Sequence, residues 1–320
     1  MKPVASLSLD LDNVWSYMKT HGDAGWESFP SYFDKVVPRV LGLLKELDLK
    51  LTVFVVGQDA ALDKNAEAIA AFGNGGHEYG NHSFHHEQWF HLNTEQAIEE
   101  EIAEADQAIE NVAGIRPIGF RGPGFAISAK VLEVLARRGY KYDCSTFPTF
   151  LGPLARAYYF MTANLSKEEM EKRKSLFGGF REGLRSNKPY RWKLDAGDLI
   201  EIPVTTIPGL KVPFHASYIL YLSTISPSLA IGYFRTALAL CRRAGVSPSL
   251  LLHPLDFLGG DDLRELSFFP AMKLPGAQKT RIVKTIIRHF SSEFRVLPLG
   301  EHWREINKET TLKTVAPNFL

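Results

Sequence analysis

The stretch Ser6 to Trp15, SLSLDLDNVW, decides how this chain is read. An alternating apolar run ends in two aspartates, Asp10 and Asp12, set one residue apart. In an extended strand such residues project to the same face, so the two carboxylates stand side by side and repel unless a positive charge lies between or beside them. A solvated turn with a helix cap is the plain account of such a pair. A functional account needs further residues to supply the positive charge, and these are sought along the rest of the chain.

Composition sets the bounds. At 320 residues with 45% apolar content, the chain is long enough for one large α/β barrel or two ordinary domains. Lys plus Arg (37) nearly balances Asp plus Glu (36), which gives no electrostatic footing for nucleic acid. The cysteines, Cys144 and Cys241, have neither CxxC nor Cys/His spacing, so they read as buried thiols in a reducing compartment. No apolar leader precedes the acidic pair, and a cytoplasmic location is expected. The uncharged run from Val212 to Phe234 is broken by Pro213 and Pro227 and suits a strand, a loop and a helix start better than a membrane span.

Apolar, β-rich runs alternate with helical patterns, the signature of parallel βαβ construction. Strands are expected over 4–9, 51–56, 77–80, 117–120, 140–143, 199–204, 249–253 and 295–298. Helical patterns include YFDKVVPRVLGLLKEL and NTEQAIEEEIAEADQAIENVA, the latter opened by Asn93 or Thr94 as cap. About eight strands in one continuous alternation predict a single distorted (β/α)7–8 barrel of TIM-like type spanning residues 1–320. One segment departs from the pattern. Residues 156–193 carry ten basic residues against four acids, a local charge of +6, and read as an insertion with a helix opened by the capping box SKEE.

In a parallel barrel, functional groups gather at the C-terminal ends of strands. Asp10, Asp12, His82, His86, Arg121, Asp143 and His253 all stand at such ends. GHEYGNHSFHHEQW places His82 and His86 at i, i+4, which on a helical turn puts both imidazoles on one face, as a divalent ion needs; His85 leaves a second register open. With Asp12 the set becomes two His and one Asp, three ligands that leave positions open for water and substrate. Asp10 then stands beside that water as general base, and the cation reconciles the two carboxylates. Zinc suits such a set, and cobalt, nickel or iron also fit, because affinity order does not select among them. Arg121, following an apolar strand in GFRGPGFAIS, is placed to grip Asp10 in a bidentate pair. His253, at the end of LLLH, becomes the acid for a leaving amine.

In these blocks the chain resembles the polysaccharide deacetylase superfamily, the NodB-homology or carbohydrate esterase family four-like group, whose metal-dependent members remove acyl groups from amides, usually on amino sugars. SLDLD, GHEYGNHSFHH, RGPG and LLLH occur in the family's order over about residues 4–300. The resemblance implies Asp10 as base, Asp12, His82 and His86 as metal ligands, Arg121 as tether of the base and His253 as acid. Leu11 between the aspartates gives a spaced DxD, similar to the branch of deformylases that act on lipid-linked aminoarabinose. The acid's usual aspartate-tryptophan partner has no clear match after GYKYDCSTFP; Asp143 is the candidate for that role, with Asp256 as its rival.

The implied reaction is hydrolysis of an N-acetyl or N-formyl amide of an amino sugar, possibly lipid-linked. A non-sugar amide or small cyclic nitrogen compound is the alternative substrate, and an inactive carbohydrate-binding relative the alternative class. The partners expected are an amino sugar or glycolipid and no nucleic acid. The basic and aromatic insertion, with the apolar run after it, predicts salt-sensitive peripheral contact with the inner face of the cytoplasmic membrane.

Overall fold

A computed structural model of the chain describes residues 2–154, 168, 170, 179–308 and 311–319. Among these residues ten strands form one sheet: β1 (Val4–Asp10), β2 (Thr52–Val55), β3 (Glu78–Asn81), β4 (Gly119–Phe120), β5 (Tyr142–Asp143), β6 (Tyr190–Trp192), β7 (Ile200–Glu201), β8 (Ser249–Leu252), β9 (Arg295–Leu297) and β10 (Thr314–Val315). Their order is β10-β6-β7-β5-β4-β3-β2-β1-β8, with β9 also on β1. Every pairing is parallel except β6 with β7. The architecture is an α/β fold with a curled, mostly parallel sheet.

Each of the eight predicted strand segments overlaps a strand, and the predicted helices appear as Phe33–Glu46 and Glu95–Ala113, the second capped by the Thr94 side chain on Ala97 N. The barrel departs from a regular eight-strand ring. The two ends of the curl meet where Thr205 N donates to Ser249 O (3.2 Å) and Ser249 N to Thr205 Oγ1 (2.8 Å). β9 does not take a place in the ring but pairs Val4–Ser6 at the start of β1. β6 and β10 extend the sheet beyond β7 and were not foreseen.

The alternation of β1 explains how the layers separate. Leu7 and Leu9 face outward and join Val53 and Val55 in a core covered by helices Phe33–Glu46, Pro227–Arg243 and Gly276–Glu293. Truncating a large side chain in such a core to Ala costs about 2–5 kcal/mol. Ser6, Ser8 and Asp10 face the inside of the curl, where Phe54, Tyr142, Cys144, Ile200 and Ile202 pack with Leu299 and Ile306 from the helix Leu299–Asn307. That helix closes the N-terminal end of the curl: Leu299 N donates to Thr52 Oγ1 (2.7 Å) and Gly300 N to Glu78 Oε2 (2.7 Å).

The parallel register then aligns the other ends. Asp10 pairs with Phe54, Val55 with Asn81, Asn81 with Phe120 and Phe120 with Asp143, so the residues that follow β1 to β5 share one rim. Both cysteines are buried and unbridged. Among the described residues, no helix is long and apolar enough to cross a membrane. Residues 156–167, 169 and 171–178 of the predicted insertion, with Ser166 and Glu169 of its capping box, lie outside the described residues.

Candidate metal centre and its flanking groups

At the rim, Asp12, His82 and His86 are all buried, and one ligand atom of each lies within 4.8 Å of the others. Asp12 Oδ1 is 3.0 Å from His86 Nε2 and 3.3 Å from His82 Nε2. Despite these distances Oδ1 has no hydrogen bond in acceptable geometry. A buried carboxylate oxygen and two imidazole nitrogens that face one another without bonding are a donor set aimed at a common centre, and one carboxylate with two imidazoles suits a divalent transition ion. Burial pushes the Asp12 carboxyl up, but the imidazoles of His86 and His82 outweigh it and hold the group well below the usual carboxylate range. Burial opposes charge on His82, yet Asp10 and Asp12 raise its affinity for a proton. The trio thus draws positive charge to the place where a cation fits.

The two histidines do not share a helical turn, as their spacing had predicted. Residues 82–87 form an irregular loop in which Ser83 (φ 61°) and His86 (φ 54°) adopt left-handed backbone. Non-glycine residues take this conformation at a cost and only where their surroundings impose it. Here Asn81 Oδ1 accepts from Ser83 N (2.8 Å), Ser83 Oγ from His86 N (3.2 Å), and Glu101 Oε1 from the amides of Phe84 (3.0 Å) and His85 (2.7 Å). His85 turns outward and pairs with Glu101 at 2.7 Å, which resolves the register in favour of His86. His82 Nδ1 lies 2.6 Å from the Arg121 carbonyl; with its proton donated there, Nε2 is free for a metal.

Asp12 is held just as firmly. Tyr32 Oη donates to its carbonyl (2.6 Å), and the next residue, Asn13, caps the helix Val14–His21 through Val14 N (2.9 Å) while donating Nδ2 to Asp59 Oδ1 (2.7 Å). Asp59 also accepts from Trp15 Nε1 (3.0 Å) and Asn65 Nδ2 (3.0 Å), and burial pushes its carboxyl up to about 7. Sequence reasoning missed Asp59, whose only signal is an acid within an otherwise apolar turn.

Asp10 and His253 flank the trio. Arg121, fully buried, donates Nη1 to Asp10 Oδ1 (2.5 Å) and to Ser8 Oγ (3.0 Å), and Nε to Cys144 O (3.1 Å). The predicted bidentate grip is therefore a single-point contact: Nη1 is shared between Asp10 and Ser8, Nε goes to the Cys144 carbonyl, and Nη2 is buried without a hydrogen-bond partner. The guanidinium lies 4.3 Å from the centre of the Phe54 ring, and a Cβ at Gly80 would fall 2.4 Å from that ring, so only glycine leaves Phe54 its place. His253 Nε2 is 3.9 Å from Asp10 Oδ2.

Asp143, the candidate partner of His253, does not reach it; its rival Asp256 does. Its Oδ2 accepts from His253 N (2.8 Å), and its Oδ1 from Ser217 Oγ (2.8 Å), which lies 3.3 Å from His253 Nδ1. Asp143 is occupied elsewhere: Oδ1 accepts from Ser145 Oγ (2.7 Å), and the side chain bonds to Glu201, its register partner on β7. Burial, then the charge of Asp143, raises Glu201 well above the usual carboxylate range, so the pair retains a proton. A second imidazole, His215, lies beside His253 with ring centroids 5.9 Å apart; burial and then His253 and Arg121 hold it well below the usual histidine range, so it is neutral. Sequence reasoning missed His215 and Ser217 because they arrive from an apolar run with no metal-type spacing.

Residues 22–142 match the family described as polysaccharide deacetylase. A peptidoglycan deacetylase of Helicobacter pylori is 26% identical over 149 residues, covering 44% of this chain and 49% of that protein. YlxY of Bacillus subtilis, an uncharacterized protein, is 27% identical over 107 residues, covering 33% of this chain and 31% of that one. The matched stretch thus spans about half the length of the first of these relatives and about a third of the second. Among solved structures, one from Mycobacterium smegmatis assigned as a polysaccharide deacetylase superposes with a TM-score of 0.62 at 20% identity, covering 100% of both chains. Another from Pseudomonas aeruginosa, assigned likewise, gives 0.58 at 18% identity, covering 96% of this chain and 91% of that one. These likenesses establish the fold.

Proposed function

We propose that the chain is a metal-dependent hydrolase that cleaves the N-acyl amide, acetyl or formyl, of an amino sugar. The observation that carries this reading is the convergence of Asp12, His82 and His86 on one centre, flanked by Asp10 and His253. Asp12 Oδ1 and the two Nε2 atoms would hold the ion, with zinc as the first assignment and cobalt, nickel or iron as the others the donor set accepts. When bound, such an ion polarises the acyl carbonyl and acidifies water. Asp10 accepts the proton of the attacking water, and Arg121 fixes the carboxylate in position for it. His253 in its protonated form donates to the departing nitrogen, and Asp256 with Ser217 keeps the imidazole turned toward Asp10. The test is release of acetate or formate from N-acetyl and N-formyl amino sugars, free and carried on a polyprenyl phosphate.

A lipid-linked substrate is favoured by one further observation. Tyr221, Ile225 and Leu229 are exposed around the turn between the helices Ala216–Ser223 and Pro227–Arg243, and the first of these helices starts beside His253. On this reading the turn enters the edge of an anionic membrane, aided by cations of the 156–193 segment, of which Lys172, Arg173 and Lys174 lie outside the described residues. Co-sedimentation with anionic vesicles at low salt, abolished by Ile225→Asp and by high salt, is the expected outcome; sedimentation indifferent to both returns the reading to an aqueous substrate.

A further inference from the structure

The rim continues past the candidate metal ligands as a run of aromatic rings. Phe125 follows β4, Phe147 follows β5, and His215 and Tyr218 open the helix Ala216–Ser223. Phe125 stacks on Phe147 with centroids 4.7 Å apart, and Phe147 packs on His215 at 5.5 Å. His215 in turn meets Tyr218 edge-on at 4.7 Å and His253 at 5.9 Å. Phe125 joins the run from left-handed backbone (φ 64°), a conformation that its surroundings must impose. Within this wall His215 is the polar exception. The residue is 6% exposed, and its Nδ1 is shut off from solvent without a hydrogen-bond partner. Buried donors without an acceptor are rarer than buried acceptors without a donor, so the proton belongs on Nε2. Burial first, then the charges of His253 and Arg121, hold the ring well below the usual histidine range and leave it an uncharged donor. A phenyl ring would fill the same place with no polar atom to bury, so the imidazole calls for a functional reason.

We infer that His215 is a further catalytic residue whose Nε2–H donates a hydrogen bond to the carbonyl oxygen of the scissile amide. The assignment rests on the amide-hydrolase reading and follows from what the neighbouring groups leave free. Asp10 addresses the attacking water, and His253, 3.9 Å from it, addresses the departing nitrogen. Arg121 is engaged by Asp10, Ser8 and the Cys144 carbonyl. The amide oxygen is the reacting atom that gains charge, and His215 is the donor in ring contact with the acid that has no other task. A fixed donor set in an aromatic wall strengthens as that charge develops, and it needs no reorganisation at the moment of reaction. Imidazoles kept neutral by their surroundings polarise carbonyl groups in this way. No proton is transferred at this contact, so the ring ends the reaction in the tautomer in which it began.

The test uses the full chain loaded with zinc and compares His215→Phe, which keeps an aromatic ring in the wall, with His215→Gln, which restores a side-chain N–H. On N-acetyl and N-formyl amino sugars, His215→Phe should lower kcat by about 10²–10³-fold, the loss usual for one oxyanion donor. Metal content and Tm should stay at the wild-type values and both limbs of the pH profile in place, while His215→Gln should recover about tenfold of the loss. Acetate, a product that carries the same oxygen, gives a readout independent of turnover. Titrated against the chain labelled with nitrogen-15 histidine, it should shift the His215 Nε2–H signal, and its Kd should weaken about tenfold in His215→Phe. A kcat within about twofold of the wild type in folded His215→Phe overturns the assignment, as does a pH limb that moves with the substitution, which would place the effect on His253. Acetate that leaves the Nε2–H signal unmoved, or binds both proteins equally, overturns it too. Acetate binding that depends on His215, with no hydrolysis of any amide, removes the hydrolase reading alone; hydrolysis indifferent to His215→Phe removes the role of His215 alone.

Discussion

The backbone carbonyl of Arg121 lies 2.6 Å from His82 Nδ1, while the guanidinium of the same residue reaches Asp10 Oδ1 at 2.5 Å. One residue therefore orients a proposed metal ligand through its main chain and the proposed base through its side chain. The turn after β4 carries it, and Gly122, whose Cβ would meet the Ala126 carbonyl at 2.0 Å, lets that turn close. Substitution of Arg121 removes the side-chain contact and leaves the carbonyl in place, whereas base and ligand are told apart at the aspartates.

Asp10→Asn keeps the shape of the side chain but removes the proton acceptor. Metal content should remain near that of the wild type while kcat falls by about two to four orders of magnitude, the range for loss of general-base catalysis. Asp12→Asn should instead weaken metal binding. Elemental analysis beside single-substrate kinetics checks both, and the reverse pattern would exchange the two roles.

In the proposed reaction Asp256 and Ser217 act through His253, which both contact. Asp256→Asn and Ser217→Ala should each lower kcat by about 10–100-fold, the scale of loss for groups that orient a functional imidazole, with metal content intact. A residue that merely stabilised the fold would leave the pH profile of kcat in place. Here the limb assigned to the acid should move, more in Asp256→Asn than in Ser217→Ala. Asp143→Asn, by contrast, should act on stability through Glu201, and its effect on thermal unfolding should exceed its effect on that limb.

His302 gives the fold an acid-sensitive contact. It is buried inside the curl, with Nδ1 3.0 Å from Ser6 Oγ, and burial lowers its pKa from 6.5 to about 4. The unfolded chain therefore takes up a proton at this residue before the folded chain does. Its stabilisation is complete above about pH 6.5 and declines as the pH falls toward 4, by about 3 kcal/mol in all. Asp59, with its carboxyl raised to about 7, works in the opposite sense over much of that window, so total stability does not isolate the effect. The difference in denaturant midpoint between wild type and His302→Gln does: the wild type's advantage should shrink as the pH falls from 7 to 4.5. A difference constant with pH contradicts the assignment.

Much of the fold was legible because β1, β2, β4 and β8 lie in apolar or alternating runs followed by polar residues, and a parallel register sends those ends to one rim. β6 and β10 were not legible, since three and two residues joined only at the sheet's edge leave no periodicity to read. The positions of Asp10, Asp12, His82, His86, Arg121 and His253 near strand ends were legible in the sequence, but the geometry that brings them together was not. The spacing of His82 and His86 suggested a helical turn, whereas Asn81 and Glu101 hold a left-handed loop that brings the same atoms together. The partner of His253 could not be settled from sequence, because both Asp143 and Asp256 follow strands; Ser217, from a helix 39 residues before Asp256, decides between them.

The central claim is that Asp12, His82 and His86 hold one catalytic divalent ion. Its most direct measurement is metal content against amide hydrolysis for the purified chain: as isolated, after chelation, and after addition of zinc, cobalt, nickel or iron, with His86→Ala and His85→Ala beside it. The account predicts one ion per chain, hydrolysis lost on chelation and restored by one equivalent of at least one of these metals. It also predicts that His86→Ala loses metal and activity together while remaining folded, and that His85→Ala keeps both. Full metal occupancy in folded His86→Ala, or hydrolysis undiminished in metal-free protein, would contradict it.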